Sequence, residues 1–258
     1  MSSLITAIIL AKNEEKRIIK CVKSLSFCDE VLIIDDNSTD NTIKSVVKLN
    51  NTKVRLIPYS LQDDFSKARN FGLSQAKGEW VLFVDADEII SDALSFEISN
   101  AINRLSDESL LRPSSFYIER KDFMWGKMLN HGESGGIRLL RLAKKDAGEW
   151  HGKVHEKWKV KGKVGILKNY LLHYPHQSVT EFLTEINYYT DIRAQELYLK
   201  KIKVRWWSIV VFPVGKLINN FVLKRGFLDG ERGLIVSLIM SFHSFLVRGK
   251  LWSIWNKN

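Results

Sequence analysis

Four apolar runs of strand length open the chain, and each is followed by a stretch with helical spacing. "SLITAIIL" precedes "NEEKRIIKCVKSL", where Ile18, Ile19, Val22 and Leu25 fall on one side of a helix. "EVLIID" precedes "NSTDNTIKSVVKL", whose Ser, Thr and Asp offer N-caps. "KVRLIP" precedes "DDFSKARNFGLSQA", a helix that Gly78 helps to stop, and "WVLFVD" precedes "SDALSFEISNAINRL". Strands separated by helices of this length predict a parallel sheet with right-handed crossovers. Their near-continuous apolar character predicts a sheet covered on both faces.

The pattern then changes. "SSFYIERKDFMWG" and "GGIRLLRLA" predict strands of a more mixed sheet, and "VGILKNYLLHYPH" a short strand pair. "SVTEFLTEINYYTDIRAQELYLKK" predicts a long helix opened by a capping box, Ser178 with Glu181. Two apolar stretches follow, "WWSIVVFPVGKLINNFVL" and "GLIVSLIMSFHSFLV". Pro, Lys, Asn or His interrupts them, or they fall short of about 20 apolar residues, so helices lying in a membrane interface are expected rather than spans. This divides the chain into an α/β domain over 1–176 and a helical, basic, membrane-associating region over 177–258.

Charge sharpens that division. The 258 residues carry a net +10, but Leu199 to Asn258 alone hold 11 Lys and Arg against two acids. A nearly neutral domain therefore precedes a basic tail, and four of the eight tryptophans, Trp206, Trp207, Trp252 and Trp255, sit in the tail. Lysines with aromatics also occur in single-strand nucleic-acid grooves, yet such a groove has no use for apolar stretches of this length. An anionic bilayer uses both features, so a membrane surface is the expected partner and nucleic acid is not. Cys21 and Cys28 match no metal-ligand spacing and no disulfide framework, which fits buried thiols in a reducing compartment. "MSSLITAIILAKNEE" has no basic n-region and reads as a first strand rather than a signal peptide. A cytoplasmic protein at the inner face of the cytoplasmic membrane is expected.

In an open α/β sheet the ligand crevice lies beyond the carboxyl ends of the strands. The first strand delivers Ala11-Lys12-Asn13-Glu14 there, the second "DDNSTD", the fourth "DADE". Helix N-capping accounts for Ser38, Asp40 and Asp92. It does not account for Asp85 and Asp87, because crowded carboxylates raise one another's pKa unless a cation sits between them. All-oxygen ligands with few His and no usable Cys favour Mg²⁺ or Mn²⁺, which bind substrate phosphates as well as carboxylates. No G-x-G-x-x-G follows the first strand and no P-loop occurs, which leaves a metal-held nucleotide diphosphate as the expected ligand.

"AIILAKNEE", "VLIIDDNSTDNT", "ARNFGLSQAKGEWVLFVDADE" and "KVHEKW", in this order, resemble the family-2 inverting glycosyltransferases. "FLDGERGL" further resembles bacterial members that add hexoses to the lipopolysaccharide inner core. The resemblance implies a nucleotide-diphospho-sugar transferase fold, Rossmann-like and of glycosyltransferase A type, with a mixed sheet flanked by helices. It implies a nucleotide-sugar donor, a UDP-sugar first among them, and a lipid-linked saccharide acceptor. Ala11, Asn13, Glu14, Asp35, Asp36, Arg69, Asp85 and Ala86 then bind the nucleotide sugar, with Asp36 reading the uracil edge and Asp85 meeting the ribose. Asp87 is the direct metal ligand, His173 completes the metal shell, and Glu156 is the catalytic base. Glu133 and His155 are the rivals for these last two roles.

Arg138 and Arg141 in "IRLLR" are read as exposed strand residues, with phosphate or acceptor binding as the alternative. Residues 131–136 are expected to form a mobile loop on the acceptor side. A non-catalytic nucleotide-sugar or glycan-binding module of the same fold is the competing reading, against which the intact DADE and Glu156 weigh. A nucleotidyltransferase would call for a Gly-rich phosphate loop after the first strand, and "LAKNEE" has no glycine.

Overall fold

In a computed structural model, residues 4–61, 64–103, 113–152 and 156–257 are described. Strand and helix alternate through β1 (Ile5–Ala11), α1 (Ile18–Ser24), β2 (Glu30–Asp35), α2 (Thr42–Lys48), β3 (Val54–Pro58), α3 (Phe65–Gln75) and β4 (Trp80–Asp85). A short β5 (Glu88–Ile90) and α4 (Asp92–Asn103) follow. Next come β6 (Pro113–Met124), β7 (Lys127–Met128), β8 (Ile137–Lys144), β9 (Gly148–His151), β10 (Lys157–Val160) and β11 (Lys163–His173). The helices α5 (Val179–Leu199), α6 (Trp206–Ile218) and α7 (Glu231–Lys257) complete the described chain, with a π-helical continuation of α6 over Asn219–Leu223. Two compact units result: Met1–Arg120 with Arg138–His173, and Lys121–Ile137 with Tyr174–Asn258.

Among the described residues the main sheet runs β3-β2-β1-β4-β8-β6-β11-β5, with β7 paired to β6. The β3-β2-β1-β4 portion is parallel. Antiparallel pairing begins where β8 meets β4 and recurs where β11 meets β5. Strand alternation divides the apolar residues between the two faces. Ala7 and Ile9 of β1, Val31 and Ile33 of β2, and Leu82 and Val84 of β4 share one core with Ile18, Val22, Leu94 and Ile98 of α1 and α4. Ile8, Leu32, Ile34, Val81 and Phe83 share the other with Leu73 of α3 and with Trp150 and Trp158. The sheet is thus covered on both faces, as its apolar strands require.

Several local expectations change. The first helix begins at Ile18 rather than Asn13: Asn13 has a φ of 57°, outside the helical region, and the N–H groups of Asn13, Glu14 and Glu15 bond Ser38, Thr42 and Asp40. The polar run before α2 consequently binds the neighbouring loop; Asn41 at the N-cap position of α2 makes no side-chain cap, while Asp40 accepts from the Thr42 amide at 2.9 Å, in keeping with its reading as a cap. Gly78 lies beyond α3 and serves a close approach: a Cβ there would sit 2.6 Å from the Thr6 amide nitrogen. The segment read as a strand pair is one 11-residue strand, β11. Residues 104–105, assigned to the fourth helix from sequence, lie outside the described residues.

In the second unit, Ser178 accepts from the Glu181 amide at the start of α5, as the capping box requires. Residues 131–136 are tied down rather than loose. The Asp229 carboxylate accepts from the amides of Asn130 and His131, and Glu133 accepts from Lys216 and Asn220.

Candidate active site

The β4 strand ends at Asp85, and α3, β5 and β8 bring partners to it. The helix α3 carries Arg69, whose Nη2 donates to Asp85 Oδ1 at 3.1 Å. Its guanidinium carbon lies 4.6 Å from the centre of the Trp150 ring, in cation–π range. Asn70, the next residue, donates to the Trp150 carbonyl at 2.9 Å and accepts from its amide at 2.8 Å, which fixes β9 on α3. Pairing of β10 with β9 then sets the position of Glu156, just before β10. Arg69 Nε donates to Glu156 Oε1 at 2.8 Å, so one buried arginine links Asp85 with Glu156.

Arg141 corrects the sequence reading. It is 5% exposed, and only Arg138 of the pair is an exposed strand residue. Antiparallel pairing puts Leu142 opposite Leu82 and so carries Arg141 to the Asp85 end of β4. There it donates to Asp85 Oδ2 and, at 3.0 Å, to Glu88 Oε1. Glu88 is fully buried and also accepts from the Asp85 amide at 2.9 Å. Burial works against ionisation of Asp85, but the Arg141 and Arg69 charges outweigh it and hold that carboxyl well below the usual range. Burial pushes Glu88 up, assisted by the Asp85 charge and opposed by Arg141. The Cys21 thiol, which donates to the Asp85 carbonyl oxygen at 3.4 Å, is pushed up by burial and by the surrounding acids, so it is a packing residue and not a nucleophile.

Asp87 sits apart from this pair of arginines. The antiparallel register of β11 on β5 sets His173 opposite Glu88, beside Asp87, and its Nε2 lies 3.1 Å from Asp87 Oδ2. A nitrogen and a carboxylate oxygen directed at each other fit two donors of a divalent ion. Arg17 Nη1 lies 4.0 Å from the same Asp87 oxygen. Among the described residues no group of three or more His, Cys, Asp and Glu could hold a metal ion. The protein thus offers a partial shell of a kind that substrate phosphate oxygens and water complete.

At the ends of β1 and β2, Asp36 accepts from Lys12 Nζ at 2.7 Å and from the Leu61 amide at 2.9 Å. Its own amide donates to the Ala11 carbonyl. Asp35 accepts from the Ser38 amide through Oδ2, while its buried Oδ1 has no hydrogen-bond partner among the described residues. Asn13 has a φ of 57° and accepts from the Thr39 amide, and Glu14 lies 3.8 Å from Arg17. Ala11, the last residue of β1, and Ala86, just past β4, are buried small residues. Of the two rival residues, Glu133 belongs to the second compact unit and His155 lies outside the described residues. Spacing did not foresee that Arg141 and Glu88 pair with each other beside Asp85; the one signal was a charge at an otherwise apolar strand position.

A family model described as "Glycosyl transferase family 2" matches residues 6–147. An uncharacterised glycosyltransferase of Rickettsia conorii is 26% identical over 259 residues, covering 97% of this chain and 90% of that one. The lipopolysaccharide core biosynthesis glycosyltransferase LpsC of Rhizobium meliloti is 25% identical over 253 residues, covering 96% and 92%. Among solved structures, the mannosyltransferase PcManGT from Pyrobaculum calidifontis, in complex with GDP-Man and Mn²⁺, matches with a TM-score of 0.54 at 14% identity. That match covers 100% of this chain and 89% of the solved one, and the likeness is one of fold.

Proposed function

The chain belongs to glycosyl transferase family 2, and from that premise we propose an inverting transfer of a hexose from a UDP-sugar to a hydroxyl of a lipid-linked glycan such as a lipopolysaccharide core. The observation that carries this reading is Arg69, which bonds Asp85 and Glu156 together beyond the carboxyl end of β4. It aligns a carboxylate fit for the ribose with a carboxylate fit for the acceptor. Oε1 of Glu156 is engaged by Arg69, which leaves Oε2 for the acceptor hydroxyl, whose proton it would take as that oxygen attacks the anomeric carbon. Arg69 fixes the direction of the base, and Trp150 beneath Arg69 fixes the arginine.

Asp85 stays ionised through Arg69 and Arg141 and is free of the crowding penalty that the sequence presented. Asp36 and Asp35 line the base-and-ribose end with Ala11, Asn13 and Glu14, and Ala86 keeps the backbone approach to the donor open. Asp87 and His173 would hold Mg²⁺ or Mn²⁺, and the imidazole nitrogen favours the latter. Such an ion supplies neutralisation of the charge that gathers on the departing diphosphate. The Mn²⁺ in the PcManGT complex supports a divalent ion in this fold.

The second unit serves the lipid side. Trp206–Leu223 and Glu231–Asn256 are long and apolar enough to cross a membrane by length and composition alone. However, α7 packs along α5, where Lys250 bonds Asn187, Thr190 and Asp191. Spanning with α7 would draw the charges of α5 into hydrocarbon, so docking at the surface of the cytoplasmic leaflet is the reading adopted. The test is calorimetry with UDP and Mn²⁺ beside a transfer assay. Asp87→Asn should abolish Mn²⁺-dependent UDP binding. Glu156→Gln should keep that binding while turnover falls by about 10²–10⁴-fold. Normal UDP affinity in the first, or normal turnover in the second, refutes the corresponding role.

A further inference from the structure

The second unit contains a groove of about 900 Å³ that the reaction does not use. Its volume falls within the roughly 300–1,000 Å³ typical of small-molecule sites. The floor is one face of α7, where Val247 and Leu251 are buried. Trp207, Val211 and Phe212 of α6 form an apolar wall, each more than two-fifths exposed. No Asp or Glu lines it, whereas five Lys and Arg and one His do.

The cations are unequal. Arg193 is paired with Glu196 and Lys216 with Glu133. Lys203, Arg205 and Arg248 have no carboxylate partner among the described residues. Arg248 is held over the Phe212 ring at 3.8 Å and donates to the Ser244 carbonyl and hydroxyl, so it bridges floor and wall. Burial lowers the proton affinity of Arg248, as expected of a half-buried cation with no counter-ion. The groove also has room along its wall. A Cβ on Gly215 would meet no atom within 4 Å, although Gly215 sits inside a helix where glycine costs about 1 kcal/mol relative to alanine.

We propose that this groove holds one anionic glycerophospholipid of the bilayer, its phosphate on Arg205 and Arg248 and an acyl chain against Trp207, Val211 and Phe212. The inference rests on the reading that the helical unit docks on a membrane, and it replaces diffuse adsorption by a site of fixed stoichiometry. The charge argues for this occupant: the guanidinium forks match phosphate oxygens, and an apolar wall continuous with those forks matches an anion that carries a chain. A free anion would leave the wall exposed, and an uncharged lipid would leave Arg248 without a counter-ion.

The test uses the full chain and a short-chain phosphatidylglycerol kept monomeric, titrated by calorimetry. Phosphatidylcholine of the same chain length and inorganic phosphate serve as separate arms. Saturable binding of one phosphatidylglycerol per chain is expected, at least roughly tenfold tighter than either control. Arg248→Gln and Gly215→Leu should each weaken it roughly tenfold or more. The leucine adds a good helix former and fills the groove, so a loss there with an unchanged melting temperature reports occupancy rather than unfolding. Non-saturable binding, equal binding of inorganic phosphate, or wild-type affinity in both variants overturns the proposal. Pelleting of the wild type with phosphatidylglycerol vesicles reads the docking claim separately. A wild type that pellets while the short-chain lipid fails to saturate retains docking and loses the groove, and a wild type that does neither loses both.

Discussion

Arg141 shows how burial changes the meaning of a charge. Its guanidinium neutralises Asp85 and Glu88 together in a region where Glu88 has no access to solvent. Removing one partner of such a buried arrangement leaves charge uncompensated and costs about 3–5 kcal/mol, whereas removing the charges jointly costs much less. Arg141→Met should therefore lower unfolding stability by about that amount, and Glu88→Gln introduced beside it should recover part of the loss. Urea titrations of the three variants give the coupling, and strict additivity would show that the two side chains do not act as a unit. At this scale the sequence pointed to Asp85, Asp87 and Arg69, but not to the pairing of Arg69 and Arg141 with Asp85. Asp85 and Asp87 stand out because they interrupt an apolar run. Arg69 and Arg141 lie on a helix and a strand whose exposed and buried sides periodicity alone does not separate when the buried side holds a charge. His173 is intermediate: a looser motif pointed to it, and the register of β11 on β5 puts it beside Asp87.

At the scale of elements, α4 and β11 share a core through Leu94, Ile98, Leu167 and Leu171, and the Glu97 side chain adds a polar bridge between them. Glu97 accepts from the amides of Lys168 and Asn169 and from the Asn169 side chain, each at 2.8 Å. Burial opposes its ionisation, but these N–H groups outweigh burial and hold the carboxyl below its usual range. A depressed folded-state pKa gives stability that is present above the unfolded value and is lost as pH falls through the folded one. Glu97→Gln keeps one acceptor and loses the charge, so it should cost about 1–2 kcal/mol at neutral pH. The gap from wild type should shrink as pH falls below about 4. Urea unfolding at pH 7 and pH 3 measures both values, and an equal gap at the two would mean that ionised Glu97 does not bridge the elements. The parallel half of the sheet was legible because each strand is one apolar run with an intact helical period after it. The antiparallel half was less so. A strand that passes from one environment to another, as β11 does, shows no single period, and β5 is three residues long.

On the scale of the whole molecule, the division of charge along the chain reappears as a division of surface. Trp206 is 79% exposed and Leu223 71%, and between them Val210, Val211, Val214, Ile218 and Val222 also face outward. An apolar face this continuous on a helix that carries few charges marks an interaction surface rather than scattered exposure. The same unit draws Lys121–Ile137 from the middle of the chain: Met124 and Leu129 share a buried cluster with Phe182, Ile186, Val236 and Ile239, and Asp229 and Glu133 add polar contacts, a long-range pairing that no spacing rule announces. Docking on a bilayer should then have two separable terms. The Lys and Arg residues contribute about 1 kcal/mol each near an anionic surface and are screened by salt. The aromatic and aliphatic face contributes through burial and is not screened. Co-sedimentation with vesicles containing phosphatidylglycerol should accordingly be strong at about 0.1 M salt and weaker near 1 M, where the Debye length falls from about 10 to 3 Å. A residual bound fraction should persist at high salt, and Trp206→Ser with Leu223→Ser should remove it while leaving the salt-sensitive part. Complete release by salt in the wild type would assign docking to charge alone. An absence of binding at low salt would remove the membrane from the account of this unit.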